Sequence, residues 1–214
     1  MTEMVMKQTS PRFWNRIAQK YAKSPVKDED AYQTKLRLTQ ALMTKDMDAL
    51  ELGCGTGSTA LVHAPHVKTY TATDFSSQMI EIAREKAWDA SLPNLTFEIG
   101  ASEDLVQGPK QYDMILALSL LHLVPGWRGL LPKIYDRLTP GGYFVSSTVC
   151  LGELAWYMKA IFRPLSAVGI FPPVEMFVAK TLRDEILSHG FEVVEDWLPR
   201  DGRTLFLIVR KPLQ

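Results

Sequence analysis

The chain has 214 residues, with 24 Lys plus Arg set against 24 Asp plus Glu, so it carries no formal net charge when its four histidines are neutral. That length suits one α/β domain with a sizeable core and is short for two, and zero net charge argues against long-range steering to nucleic acid, though not against a local basic patch. Two cysteines, Cys54 and Cys150, give no disulfide framework, and residues 1–7 carry Glu3 without an apolar core, so no secretory leader is read and a cytoplasmic protein is expected.

Residues 11–23 suit a short helix, with Ser10 as cap, Pro11 as first residue, and Phe13, Ile17 and Tyr21 at helical spacing. Ser24-Pro25 breaks it, and a second helix is expected over 28–44. Strands and helices then alternate: strand 48–52, helix 57–64, strand 67–73, helix 76–90, strand 94–99, strand 112–118, helix 127–137 and strand 142–149. Such alternation argues for a parallel sheet covered on both faces. The continuously apolar run Met114-Ile115-Leu116-Ala117-Leu118 fits a central strand. A helix over 180–189 stopped by Gly190, then strands 191–198 and 203–210 joined by Pro199-Arg200-Asp201-Gly202, predict a hairpin and an antiparallel last strand. The expected fold is doubly wound α/β, Rossmann-like, with a mixed seven-stranded sheet in a single domain. Its parts are N-terminal cap helices (1–47), a cofactor-binding core (48–150), an insertion (151–179) and a C-terminal helix with a hairpin (180–214).

Chemistry concentrates at the strand ends. The run Ala49-Leu50-Glu51-Leu52-Gly53-Cys54-Gly55-Thr56-Gly57 reads as a buried strand entering a glycine-rich turn, where the backbone approaches a ligand closely at a helix N-terminus. Asp74 ends the next strand 21 positions after Gly53, where an acid grips a ribose diol; its alternative role is a helix N-cap. The dinucleotide fingerprint G-x-G-x-x-G is not met, because Ser58 stands where its third glycine would be. Glu51 would repel a pyrophosphate and favours a ligand with an ammonium and a sulfonium, directly or through water. These electrostatics favour S-adenosylmethionine over NAD.

The chain resembles class I S-adenosylmethionine-dependent methyltransferases of the small-molecule type that includes the ubiquinone/menaquinone methyltransferases, from about Phe13 to about Pro140 and more weakly beyond. Glu51 through Gly57 is similar to that family's first motif, and Thr73-Asp74-Phe75-Ser76-Ser77-Gln78-Met79 to its ribose-binding strand end and the helix after it. Gly100-Ala101-Ser102-Glu103-Asp104-Leu105 is similar to its adenine segment, Tyr112 through His122 to its fourth strand and loop, and Leu138-Thr139-Pro140-Gly141-Gly142-Tyr143 to its turn into strand five. The resemblance implies cofactor contacts from Tyr21, Glu51, Gly53, Cys54, Gly55, Thr56, Gly57, Asp74, Phe75, Met79, Ala101, Ser102, Glu103, Ala117 and Leu118. Phe75 and Met79 are read either as flanking the adenine or as core. Two departures stand out. Ala101 replaces an Asp that commonly accepts from adenine N6, so Ser102, Glu103 or backbone must compensate. His122 is followed by Leu123, where the family often has a second histidine.

His122 and Tyr21 are the two catalytic candidates. His122 lies past strand four, where an acceptor approaches the methyl group, and either takes a proton or packs. Tyr21 sits on a helix that in the family closes over the cofactor, and either touches the methionine end or acceptor, or packs. His63, His66 and His189 show no metal-ligand spacing, and no metal is expected. Phe171-Pro172-Pro173-Val174 lacks the polar first residue and the position of the Asn/Asp-Pro-Pro-aromatic signature of DNA amino-methyltransferases. Residues 151–178 are broken by Glu153, Lys159, Arg163 and Glu175 and cannot span a membrane. They carry Trp156, Tyr157, Met158, Ile161, Phe162, Phe171, Met176 and Phe177. They read as a lid over an apolar or aromatic small-molecule acceptor whose anionic tail would meet Lys159 or Arg163, or else as a packing helix. The expected activity is methyl transfer by in-line attack on the sulfonium. Rival readings are a methyltransferase-like binding or scaffold protein without turnover, which Ala101 supports, and an NAD-dependent oxidoreductase, which Ser58 and Glu51 disfavour. Oligomeric state is not legible.

Overall fold

The computed structural model describes residues 11–106, 108–154, 156, 165, 171–199 and 202–213. Helix α1 (Arg12–Ala22) and helix α2 (Glu29–Gln40) precede strand β1 (Asp48–Leu52), helix α3 (Ser58–His63) and strand β2 (Thr69–Asp74). Helix α4 (Ser77–Ala90), strand β3 (Leu95–Ile99), a four-residue helix α5 (Ser102–Leu105) and strand β4 (Tyr112–Leu118) follow. Helix α6 (Leu130–Arg137), strand β5 (Leu138–Val149), helix α7 (Ala179–Ser188), strand β6 (Glu192–Trp197) and strand β7 (Thr204–Arg210) complete the chain.

The seven strands lie in the order β3-β2-β1-β4-β5-β7-β6. Strands β1 to β5 are mutually parallel, and β7 runs antiparallel to both neighbours, β5 and β6. The mixed sheet and its reversed last strand are as the sequence predicts. Reversal of strand order beside β1 opens a crevice outside the carboxyl ends of β1 and β4, which is where ligands bind in open α/β sheets.

Period-two alternation divides the core. Leu50 and Leu52 of β1, Ile115 and Ala117 of β4, and Leu205, Leu207 and Val209 of β7 pack with Trp127, Leu131, Ile134, Leu182 and Ile186 on the face covered by α6 and α7. Ala49, Met114, Leu116, Val145, Phe206 and Ile208 pack on the other face with Ala60 of α3 and Ile80 and Ala83 of α4, and Leu38 of α2 joins them. By the same alternation Glu51, Asp74 and Ser147 stand on the α2–α4 side. Helix α1 is tied on separately, through a small cluster of Ala18 with Met79 and Ile82.

Several boundaries move from expectation for physical reasons. Pro11 is the N-cap of α1 and not its first residue, while Ser10 lies outside the described residues. Helix α2 starts after Asp28, whose side chain accepts from Ala31 N–H at 3.0 Å, and stops at Gln40, four residues early. Helix α4 is capped by Ser76, whose hydroxyl accepts from Met79 N–H at 3.2 Å, so Asp74 is not its cap. Strand β5 begins at Leu138, with a register shift between Tyr112 and Met114 of its partner.

Gly57 caps α3 in the left-handed region at φ 75°, and a Cβ there would stand 2.8 Å from Ala83 Cβ and 2.9 Å from Phe97 Cζ. This close approach seats the glycine loop on α4 and β3. Gly202 has a similar φ of 62° with nothing within 4 Å. Gly57→Ala is therefore expected to add overpacking of about 1–3 kcal/mol to a left-handed penalty of about 1–2 kcal/mol, whereas Gly202→Ala should show only the second. Urea denaturation of the two variants compares them directly, and equal losses would mean that Gly57 is chosen for φ alone.

Candidate active site

The loop after β1 and the loop after β2 are joined by one carboxylate. Asp74, 8 % exposed, accepts Gly55 N–H on Oδ2 at 2.9 Å and Ser76 N–H on Oδ1 at 2.8 Å. Cys54 N–H adds a second tie, to Thr73 C=O at 2.8 Å. Burial pushes the Asp74 carboxyl upward, and the two N–H groups pull it back. Each carboxylate oxygen has two acceptor directions. With one backbone N–H per oxygen among the described residues, a diol has acceptor capacity to meet.

Glu51 is 2 % exposed, and its Oε2 accepts from Tyr70 O–H at 2.9 Å. Burial raises its carboxyl to about 7, against which the Tyr70 hydrogen bond lowers it, with the nearby Asp74 charge a further upward push. A half-ionised acid at neutral pH beside the glycine loop is a receptor for a cation. The Cys54 thiol is buried and pushed well upward by desolvation, so it stays protonated and unreactive.

Tyr21 stands half-exposed over the loop, its Cε1 lying 3.7 Å from where a Gly55 Cβ would be. Its phenol is raised by the surrounding protein and by the Asp74 charge, which sets its ring at the Asp74 side of the crevice. Lys86 of α4 was not singled out from sequence, yet its Nζ donates to Thr56 C=O at 3.1 Å, Thr56 Oγ1 at 3.0 Å and Ser58 Oγ at 3.2 Å. Asn15 is likewise new: its Oδ1 accepts from Ser76 O–H at 2.6 Å, which pins α1 to the turn after β2. Neither residue has a sequence signal, because each acts across more than 25 positions.

On the adenine side Met79 is 2 % exposed between α1 and α4, which is the packing role of its two readings, while Phe75 stays half-buried. Ala101 caps α5 without a side-chain bond, and Ser102 is buried with Glu103 half-buried beside it. Ile99, paired with Asp74 across β2 and β3, is 53 % exposed and offers an apolar surface next to the Asp74 end of β2. Ala117 is wholly buried in the α6–α7 core, leaving half-buried Leu118 at the β4 end. Ser119 then takes a left-handed φ of 56°, rare outside glycine, with its N–H on Ser147 C=O at 2.6 Å.

His122 lies in the 3-10 turn Leu121–Leu123. Burial lowers its imidazole to about 4, so it is neutral at pH 7, and its buried Nδ1 has no partner among the described residues. Its carbonyl accepts Glu175 N–H at 2.7 Å, which brings the return leg of the insertion to the turn after β4. Phe177 is 7 % exposed and packs in the core, its ring 4.8 Å from that of Trp127, and one edge of it reaches the cleft described below. Trp156 and Phe171 are 79 % and 43 % exposed, and Tyr157, Met158, Lys159, Ala160, Ile161, Phe162 and Arg163 lie outside the described residues. A shallow cleft of about 290 Å³ is walled by Trp127, Arg128, Glu175, Met176 and Thr181. None of the glycine loop lines it. Among the described residues no His/Cys/Asp/Glu group could hold a metal, and no helix is long and apolar enough to cross a membrane.

Residues 50–144 match the family described as methyltransferase domain. The chain is 30 % identical over 171 residues to a malonyl-[acyl-carrier protein] O-methyltransferase of Priestia megaterium, covering 78 % of this chain and 61 % of that protein. It is 27 % identical over 112 residues to a ubiquinone biosynthesis O-methyltransferase of Coxiella burnetii, covering 52 % of this chain and 47 % of that protein. The chain thus spans less than two thirds of either relative. An S-adenosylmethionine dependent methyltransferase structure from Mesorhizobium loti superposes with a TM-score of 0.67 at 18 % identity, covering 82 % of this chain and 95 % of that one. With the strand order and the glycine loop already described, these likenesses identify the chain as a member of the class I S-adenosylmethionine-dependent methyltransferases.

Proposed function

We propose that the chain transfers the methyl group of S-adenosylmethionine to a small organic acceptor by in-line attack. The observation that carries this reading is the pairing of a buried, half-ionised Glu51 with Asp74 across the glycine loop. Asp74 would take the ribose diol, Glu51 the methionyl ammonium, Phe75 and Ile99 the adenine faces, and the loop residues Gly53 to Gly57 the methionine stem. Ser102, Glu103 or backbone would serve adenine N6 in place of Ala101. A sulfonium is already an activated electrophile, so orientation and exclusion of water supply much of the rate. That fits a site whose only nearby histidine is held neutral with its basicity reduced. In this reading His122 orients the acceptor through a hydrogen bond and is at most a weak base, and Tyr21 closes over the methionine end. Residues 1–47 cap the crevice, 48–150 form the cofactor core, 151–179 roof the acceptor and 180–214 complete the sheet.

For the acceptor, the apolar exposed side chains Trp156 and Phe171 on the insertion favour an apolar or aromatic molecule. The O-methyltransferase relatives support oxygen as one nucleophile to test first. Calorimetric titration with S-adenosylmethionine, S-adenosylhomocysteine and NAD tests the reading at its base. Binding of the first two alone is expected, and binding of NAD alone would replace it with the oxidoreductase reading.

Asp74→Ala should weaken S-adenosylhomocysteine by at least tenfold, since a charge-assisted contact is worth roughly 1.5–3 kcal/mol. Because the same carboxylate holds Gly55, Asp74→Asn separates the roles: one amide oxygen keeps a loop bond while the charge is gone. Unchanged affinity in both folded variants would remove Asp74 from the site.

Glu51 gives a pH signature with a definite sign. Its folded pKa, about 7, lies above the ordinary 4.5, so it contributes stability that is present below pH 4.5 and lost as pH rises through 7. Glu51→Gln should therefore stabilise the protein at pH 8, by up to about 3 kcal/mol, and hardly at all at pH 4.5. Ligand binding has the opposite dependence: affinity for S-adenosylhomocysteine, whose ammonium would face Glu51, should rise through pH 7 in the parent and stay flat in Glu51→Gln. Denaturant midpoints and calorimetry at pH 5 and 8 measure both, and parallel pH profiles in the two proteins would refute the assignment.

A further inference from the structure

The cleft of about 290 Å³ opens where the chain leaves β4 and β5. Trp127 and Arg128 reach it from the 3-10 turn Trp127–Gly129 after β4, and Glu175, Met176 and Phe177 from the return leg of the insertion that follows β5. Thr181, in the first turn of α7, closes it. Strands β4 and β5 stand one and two strand spacings from β1, about 5 and 10 Å, so the cleft and the cofactor crevice share one end of the sheet. Glu175 N–H, on the carbonyl of His122, ties the cleft wall to the turn after β4.

The charges around this cleft do not balance. Arg128 is matched: its Nε donates to Glu185 Oε2 at 2.9 Å, and its guanidinium carbon lies 4.6 Å from the centre of the Trp127 ring. On α7, Lys180 pairs with Asp184 and Arg183 with Asp196. Glu175 is half-buried, and among the described residues no cation or hydrogen-bond donor meets its carboxylate. Nor is it a helix cap, because α7 starts after Val178 with no side-chain hydrogen bond. A helix start carries about half a positive charge against the full negative charge of a carboxylate, so the cleft as a whole favours a cation. We propose that the cleft anchors the acceptor by a protonated amine held on Glu175, with the apolar body of the molecule against Met176 and Phe177. This rests on the methyltransferase reading and narrows its acceptor to apolar molecules with a cationic end. None of the glycine loop lines the cleft, so the ammonium is an anchor and the methylated atom lies elsewhere on the molecule.

Calorimetric titrations of protein saturated with S-adenosylhomocysteine, which keeps Glu51 occupied, compare three probes of similar shape: phenethylamine, 2-phenylethanol and phenylacetate. The amine is expected to bind at least about fivefold more tightly than the alcohol or the acid, short of the roughly tenfold of a fully desolvated pair because Glu175 is only half-buried. Raising the salt concentration should narrow that gap. In Glu175→Gln the preference should fall below about twofold, and in Glu175→Asp, which keeps the charge, it should survive. A Glu175 that is merely solvated or structural would leave the probes bound alike in parent and variant, and that result overturns the proposal. So does a preference for phenylacetate, no binding of any probe, or an amine preference that persists in Glu175→Gln. If that variant does not fold, the salt series on the parent decides, and an amine preference insensitive to salt overturns the anchor. A parent that does not bind S-adenosylhomocysteine would overturn the methyltransferase reading itself, whereas one that binds it without preferring the amine keeps that reading and loses only this anchor.

Discussion

The site depends on one buried carboxylate having nowhere else to put its charge. Asp74 is almost closed off from water, so its oxygens need donors, and the nearest donors are the backbone N–H groups of Gly55 and Ser76. Satisfying them locks the turn after β1 to the turn after β2. Because Ser76 also caps α4 and gives its hydroxyl proton to Asn15, the same lock extends to α1. The glycine loop is thereby fixed by these hydrogen bonds before any ligand arrives. Pre-organisation of this kind removes ordering cost from binding.

The second constraint is electrostatic and opposes stability. Keeping Glu51 under the sheet's crest raises its carboxyl to about 7, so at neutral pH the folded protein carries a charge that it would be more stable without. Tyr70, itself wholly buried, offsets part of this through its hydroxyl. Such an acid is a poor structural element and a good cation receptor.

The sheet was legible because its signals are local. Strand β4 reads from its unbroken apolar run with the bounds it has, and β1 and the glycine turn read from spacing. The reversed β7 was legible from its short link to β6. Boundaries failed where a single hydrogen bond overrides periodicity: Asp28 and Ser76 take the caps, and α2 ends before its apolar pattern does. In the site, the acids and glycines were visible, but Asn15 and Lys86 were not. Each is an ordinary polar residue on a helix, and only the folded chain brings it to a loop far away in sequence. Phe177 misled for the complementary reason. An aromatic in an apolar insertion looks the same whether it faces a ligand or anchors the insertion against Trp127.

That anchor decides how the acceptor side is built. The chain leaves β5 through the turn Leu151–Glu153, and Gly152 donates to Phe177 C=O at 2.9 Å, closing the base of the insertion on itself. A Cβ on Gly152 would stand 2.4 Å from the Phe177 carbonyl carbon, so the two legs are as near as backbones come. Two residues earlier, Glu175 N–H is on the carbonyl of His122. The return leg is therefore joined both to the start of the insertion and to the turn that carries the neutral imidazole. The return leg is held to His122 by that backbone hydrogen bond, and the β4 turn in turn rests on the glycine loop through Leu120, whose side chain fills the space beside Gly53. The return leg, the β4 turn and the glycine loop are thus joined by contacts in series. In the proposed reading the leg anchored at Phe177 would set the distance between acceptor and methyl group, which is the quantity an in-line transfer with no strong acid–base pair must control.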